Sequence, residues 1–115
     1  MRKPKVYVAG PYTNGDVAKN VRKAIDIANE LADLGFAPYV PHFTHFWHMI
    51  HPREYEFWLE HDNEYLPVCD VVFRIDGISS GADKEVELAK ALNIPVFSEL
   101  EKLVSHFKNG EKPNE

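Results

Sequence analysis

At 115 residues the chain has room for one core, because a second would have too little surface to bury. A formal net charge of −5 with no basic run longer than Arg2-Lys3 argues against a duplex nucleic-acid binder, which needs a cationic stripe to displace counterions, and leaves a small molecule as the expected ligand. The lone Cys69 can form no internal disulfide, no signal-like apolar stretch opens the sequence and no run reaches bilayer length, so a soluble cytoplasmic protein is expected.

Residues 5–9 (KVYVA) form a β-branched run that ends at Gly10-Pro11, the pattern of a buried first strand and its turn. Asp16 stands where a helix cap is needed. Val17, Val21, Ala24, Ile25, Ala28, Leu31 and Ala32 then recur at helical spacing until Gly35 stops them. Residues 36–40 read as a second strand, and 41–52 as a long loop dense in histidine and aromatics. A helix over 53–66 is ended by Pro67. Residues 71–75 predict a third strand, 76–82 (DGISSGA) a loop, 83–92 a helix, 95–98 a fourth strand and 99–107 a last helix. The domain covers 1–108, and 109–115 (NGEKPNE) is a polar tail.

Strands that alternate with helices through short connections predict a three-layer α/β domain, a parallel sheet with helices on both faces. Ligands of such sheets bind beyond the carboxyl ends of the strands. That edge gathers residues 10–16, the histidine-rich segment and 76–81.

Two acids face the wrong way. On the helix over 53–66, Asp62 falls on the stripe of Tyr55, Trp58, Leu59, Tyr65 and Leu66, while Glu60, His61 and Glu64 point elsewhere. On the helix over 83–92, Glu85 heads the apolar stripe of Leu88, Ala89 and Leu92. An inward carboxylate is costly unless paired or hydrogen-bonded. Asp62 reads equally as a structural acid bonded to backbone or to a tyrosine, and Glu85 as a helix-start acid that complements the dipole. Two such acids at the ligand edge also make the pair that a retaining glycosyl transfer requires, a nucleophile and a proton donor.

His42, His45, His48 and His51 recur every three residues. Four imidazoles so spaced on one helix cannot converge on a single ion, and no CxxC or HExxH accompanies them, so no metal is expected. A non-catalytic nucleotide-binding or sensor module remains the competing class. It would keep the Ser79-Ser80-Gly81 loop and has no need of Asp62 and Glu85 together.

The segments VYVAG (6–10), HDNEYLPVCDVV (61–72) and SSGADKEVELAKAL (79–92) resemble, in family order, the nucleoside 2-deoxyribosyltransferase family, which includes the deoxynucleoside 5′-monophosphate N-glycosidases. The most telling piece is Gly81-x-x-x-Glu85, supported by Tyr7-x-x-Gly10. The resemblance implies a Rossmann-like or flavodoxin-like fold and a homo-oligomer whose sites are completed by a neighbour's C-terminal residues. It implies Glu85 as nucleophile, Asp62 as the acid assisting the leaving base, and Tyr7 as the phenol that orients the nucleophile, with no cofactor. It sets Ser79, with Ser80 and Gly81, against the 5′ end of the sugar, where nucleoside transferases place an acid and the monophosphate enzymes a hydroxyl residue. A serine there favours phosphate. Against it, Pro11 stands where the monophosphate enzymes have a serine, neither 10–15 nor the tail offers an arginine, and Asp76 lies near enough to serve a 5′-hydroxyl instead. The base is expected against Phe43, Phe46 and Trp47, with His42 or His45 reading its edge. Base exchange and base hydrolysis share the first half-reaction, so both remain open.

Overall fold

A computed structural model of the chain describes residues 2–108. Its sheet has four parallel strands, β1 (Lys5–Ala9), β2 (Ala37–Tyr39), β3 (Val71–Arg74) and β4 (Val96–Phe97), in the order β2-β1-β3-β4. Strand β1 lies between β2 and β3, with Tyr7 opposite Tyr39 on one side and Val72 on the other. The order turns back on itself between β1 and β3, which is where open α/β sheets leave a crevice at their carboxyl edge.

Alternation along β1 divides the core into two layers. Val6 and Val8 join Ala24, Ala28 and Leu31 of α1 (Val17–Asp33) and Leu103 of α5 (Leu100–Lys108). Tyr7 and Ala9 go to the other face, with Leu66, Cys69 and Val72, and with Ala82 and Ala89 of α4 (Ser80–Ala91). Side chains of successive strand residues point to opposite faces, so a strand covered on both sides needs an unbroken apolar run. The three-layer parallel α/β fold expected from the sequence is the fold observed.

Local chemistry sets the helix ends. The Asp16 carboxylate accepts from Lys19 N at 3.1 Å and caps α1, and Gly35 at φ +94 takes the chain out of it. Ser79 caps α4, its Oγ accepting from Ala82 N at 3.1 Å. With that cap the helix begins at Ser80, three residues before the position expected, and the 76–82 loop is correspondingly shorter. The helix expected over 53–66 is α3 (Tyr55–Tyr65), and Pro67 sits in the 3-10 turn Leu66–Val68 that follows it.

The expected loop over 41–52 is mostly helical: a 3-10 turn, Pro41–Phe43, runs into α2 (Thr44–Ile50). Pro41 lies at the start of the turn, where its fixed φ suits a helix and its missing N–H costs nothing. The three-residue histidine spacing is itself near the helical period. Because α2 buries none of its residues, it carries no inward apolar stripe that periodicity could reveal.

Candidate active site

A cleft of about 400 Å³ opens at the carboxyl edge of the sheet, walled by the segment after β1, by α2, by α3 and by the start of α4. Among the described residues the buried polar or charged side chains are His42, Asp62 and Glu85, and all three line this cleft. Buried polar and ionisable groups are costly in a core unless they are paired, and their collection in one cleft makes it the candidate site.

Glu85 lies beside Tyr7, whose hydroxyl donates to Glu85 Oε2. Tyr7 is fully buried and reaches the cleft through the nucleophile candidate instead of lining it. Burial, and then the neighbouring Glu85, push the phenol far above its usual range, so it stays a neutral donor. Burial lifts the Glu85 carboxyl to about 7 against the pull of the Tyr7 hydrogen bond; Asp62 adds to the rise and Arg74 opposes it. Glu85 sits in the second turn of α4, while Asp83 occupies the first. The helix dipole acts mainly within the first turn, so Tyr7 rather than the dipole is the local group that favours the ionised carboxylate.

Burial also lifts Asp62 to about 7, with the Tyr39 hydroxyl pulling the other way. That hydroxyl donates to Asp62 Oδ1 across 3.4 Å, a long contact. Two neighbouring buried acids do not both ionise near neutrality. The Tyr7 hydroxyl favours charge on Glu85 and the longer Tyr39 contact favours it on Asp62, so the two carboxyls titrate as a pair near neutrality.

Ser79, Ser80 and Gly81 line the cleft at the start of α4, and Gly10 lines it at the end of β1. The Ser79 cap occupies a lone pair of its oxygen and leaves its hydrogen free. A side chain at Gly10 would press on Ile75 Cβ at 2.9 Å. Arg74 braces the connection from β3, bonding Gly77 O at 2.9 Å, Asp83 Oδ1 at 3.0 Å and the Ile75 carbonyl.

His42 lines the cleft with Nε2 donating to Pro11 O at 2.8 Å. Burial keeps the ring neutral by lowering its pKa, and Nδ1 has no hydrogen-bond partner among the described residues. Phe46 and Trp47 do not line the cleft, contrary to expectation. On a helix, Thr44 and His48 share the inner face four residues apart, which turns Phe46 to solvent at 65% exposure. Trp47 packs on Trp58 instead, with ring centroids 4.8 Å apart. His45 bonds the Tyr12 hydroxyl at 2.5 Å. Among the described residues no group of three His, Cys, Asp or Glu side chains is placed to hold a metal ion.

Tyr12 and His48 line the cleft within two of the segments expected at this edge, without having been singled out there as ligand contacts, and Arg53 lines it from outside them. Arg53 supplies a cation near the site, its guanidinium 4.2 Å from the Phe57 ring centroid. It lies outside residues 10–15 and the tail, and only the path of the chain between α2 and α3 brings it in.

The architecture and cleft define an α/β protein with a paired-carboxylate site at a sheet switch point. The chain belongs to the family described as a domain of unknown function (DUF7768), which matches residues 4–99. Among solved structures it is similar to a 2-deoxyribosyltransferase from the psychrotolerant bacterium Bacillus psychrosaccharolyticus, with 26% identity and a TM-score of 0.59, covering 84% of this chain and 75% of that one. A conserved protein from Enterococcus faecalis V583 shares the fold at 16% identity and a TM-score of 0.63, over 96% of this chain and 78% of that one. No protein of curated function matches. No helix among the described residues is long and apolar enough to cross a membrane.

Proposed function

We propose that this chain breaks the N-glycosidic bond of a 2′-deoxynucleoside or its 5′-monophosphate by a retaining, two-step route. The observation that carries the reading is the unequal carboxyl pair in one cleft: Glu85 held by Tyr7, and Asp62 with only a long contact to Tyr39. Likeness to a 2-deoxyribosyltransferase supports the choice of sugar.

In the first step the Glu85 carboxylate attacks C1′ and the C1′–N bond breaks. Its electron pair leaves with the base, to which Asp62 delivers its proton. In the second step water or another base attacks C1′, Asp62 takes back a proton, and Glu85 departs as carboxylate. Pairing a raised acid with an ionised nucleophile is the usual division of labour for two carboxyls. Tyr7 orients Glu85 and must loosen its hydrogen bond as the ester forms.

The 5′ end meets Ser79, Ser80 and Gly81, where first-turn amides lack intrahelical partners and the Ser79 hydrogen is free to donate. Arg53 adds a positive charge within the same cleft, which favours the 5′-monophosphate over the free nucleoside. No step calls on a metal or organic cofactor. The proposal includes a homo-oligomer, and sedimentation velocity tests it: a monomer at assay concentration removes that part.

The test is a chromatographic assay of 2′-deoxynucleosides and their 5′-monophosphates, with and without a second free base, beside Glu85→Ala. Base exchange indicates a transferase, and base release without exchange a hydrolase. Mass spectrometry of the quenched enzyme should find the sugar on the peptide containing Glu85. Turnover by Glu85→Ala sinks the mechanism. Binding without turnover favours the nucleotide-sensing module.

A further inference from the structure

We propose that His48 selects the base, favouring one with an exocyclic oxo group over one with an amino group, through a hydrogen donated from Nε2; this rests on the N-glycosidic reading of the cleft.

His48 sits on α2 and lines the cleft. Its Nδ1 accepts from Trp58 Nε1 at 2.9 Å and from the Arg53 backbone N–H at 3.3 Å. Both contacts require a lone pair on Nδ1, so the hydrogen of the neutral ring is on Nε2. Among the described residues Nε2 has no hydrogen-bond partner, which leaves a donor whose orientation is set from behind. Trp58 is itself held, its ring edge-on to Trp47 with centroids 4.8 Å apart. A donor fixed in this way loses little freedom when a ligand accepts from it.

The placement of the base follows from α3. Asp62 must meet the leaving nitrogen, and Leu59 and Trp58, three and four residues earlier, line the same cleft. A base that leaves at Asp62 therefore lies along the Leu59–Trp58 face. Its far edge comes about one helical turn, roughly 5.4 Å, from the acid, and there His48 is bonded to Trp58. Guanine and thymine present a carbonyl acceptor on the edge where adenine and cytosine present an amino donor. An oxo base accepts from Nε2, whereas an amino base sets two donors against each other and leaves both unmet, costing roughly ten- to hundredfold in kcat/KM.

The experiment compares oxo and amino partners of each ring size, uracil with cytosine and hypoxanthine with adenine, as 2′-deoxynucleoside 5′-monophosphates. It measures kcat/KM in the wild type, His48→Phe and His48→Gln, and binding to Glu85→Ala by tryptophan fluorescence. The wild type should prefer the oxo member of each pair it accepts by about tenfold or more. His48→Phe should level the pair, and His48→Gln, whose amide can turn either its oxygen or its nitrogen to the base, should accept both. A wild type without preference, or His48→Phe that keeps it, overturns the proposal. Turnover without preference removes this inference alone. Preference in binding without turnover removes the cleavage reading and leaves His48 as the selector. Neither binding nor turnover removes both.

Discussion

Replacing Tyr7 by phenylalanine deletes one oxygen and leaves the ring that packs against Tyr39 at 5.5 Å between centroids. The lost contact is the donor to Glu85, in a place that water does not reach from the Tyr7 side, since that residue is fully buried. A hydrogen bond to a charged partner contributes about 1.5–3 kcal/mol, and one pH unit corresponds to about 1.4 kcal/mol. The Glu85 carboxyl, at about 7 with the phenol in place, should therefore rise by roughly one to two pH units in Tyr7→Phe. The acid limb of kcat/KM reports the free enzyme's nucleophile, so it should move up by the same amount. Activity at neutral pH, where about half of the wild-type carboxyl is ionised, should fall roughly five- to fiftyfold and recover as the pH is raised. The assay is base release from the best substrate, followed from about pH 5 to about pH 9, with circular dichroism to verify the fold. An acid limb that stays in place, or a loss equal at every pH, would show that Tyr7 does not tune Glu85.

Three other outcomes follow from the same contacts. Lifting Glu85 from 4.5 to about 7 means the folded state holds its proton longer than the unfolded chain. The contribution of Glu85 to stability is greatest below 4.5, declines by about 3 kcal/mol as pH rises through that window, and is flat above it; thermal melts should show Glu85→Gln gaining most over wild type at high pH, and equal gains at all pH would contradict this. Asp62→Asn should slow cleavage of ordinary nucleotides about a hundredfold or more but spare a substrate whose leaving group needs no proton, with steady-state rates on both deciding. Gly77 has φ +126, and a Cβ there would meet Pro11 Cγ at 2.7 Å, so Gly77→Ala should lower stability by roughly 1–3 kcal/mol in denaturant titrations; an unchanged midpoint would mean that the Pro11 loop yields freely.

Legibility in the sequence tracked burial. Each strand of the sheet was signalled by an apolar run because a sheet covered on both faces admits little else, and Asp62 and Glu85 stood out because they interrupt apolar stripes. The α2 segment gave no comparable signal. It is short and buries no residue, so its histidine spacing looked like a loop, and Phe46 and Trp47 were turned toward a cleft that Thr44 and His48 line. Arg53 was invisible for a different reason: it belongs to no periodic pattern. The early start of α4 was in principle readable, since Ser79 is a good cap residue; the later Asp83 drew the boundary away from it.

The two walls of the cleft differ in how they are anchored. Tyr7 and Glu85 are set in β1 and α4, whose side chains form the core, whereas His48 rides on a seven-residue helix with no buried side chain. Amides of α2 should exchange with solvent through local opening that leaves the sheet intact. On the proposed reading, base preference and bond-breaking thereby rest on separately anchored elements. A change within residues 44–50 would then alter which base is accepted and leave Tyr7 and Glu85 in place on β1 and α4.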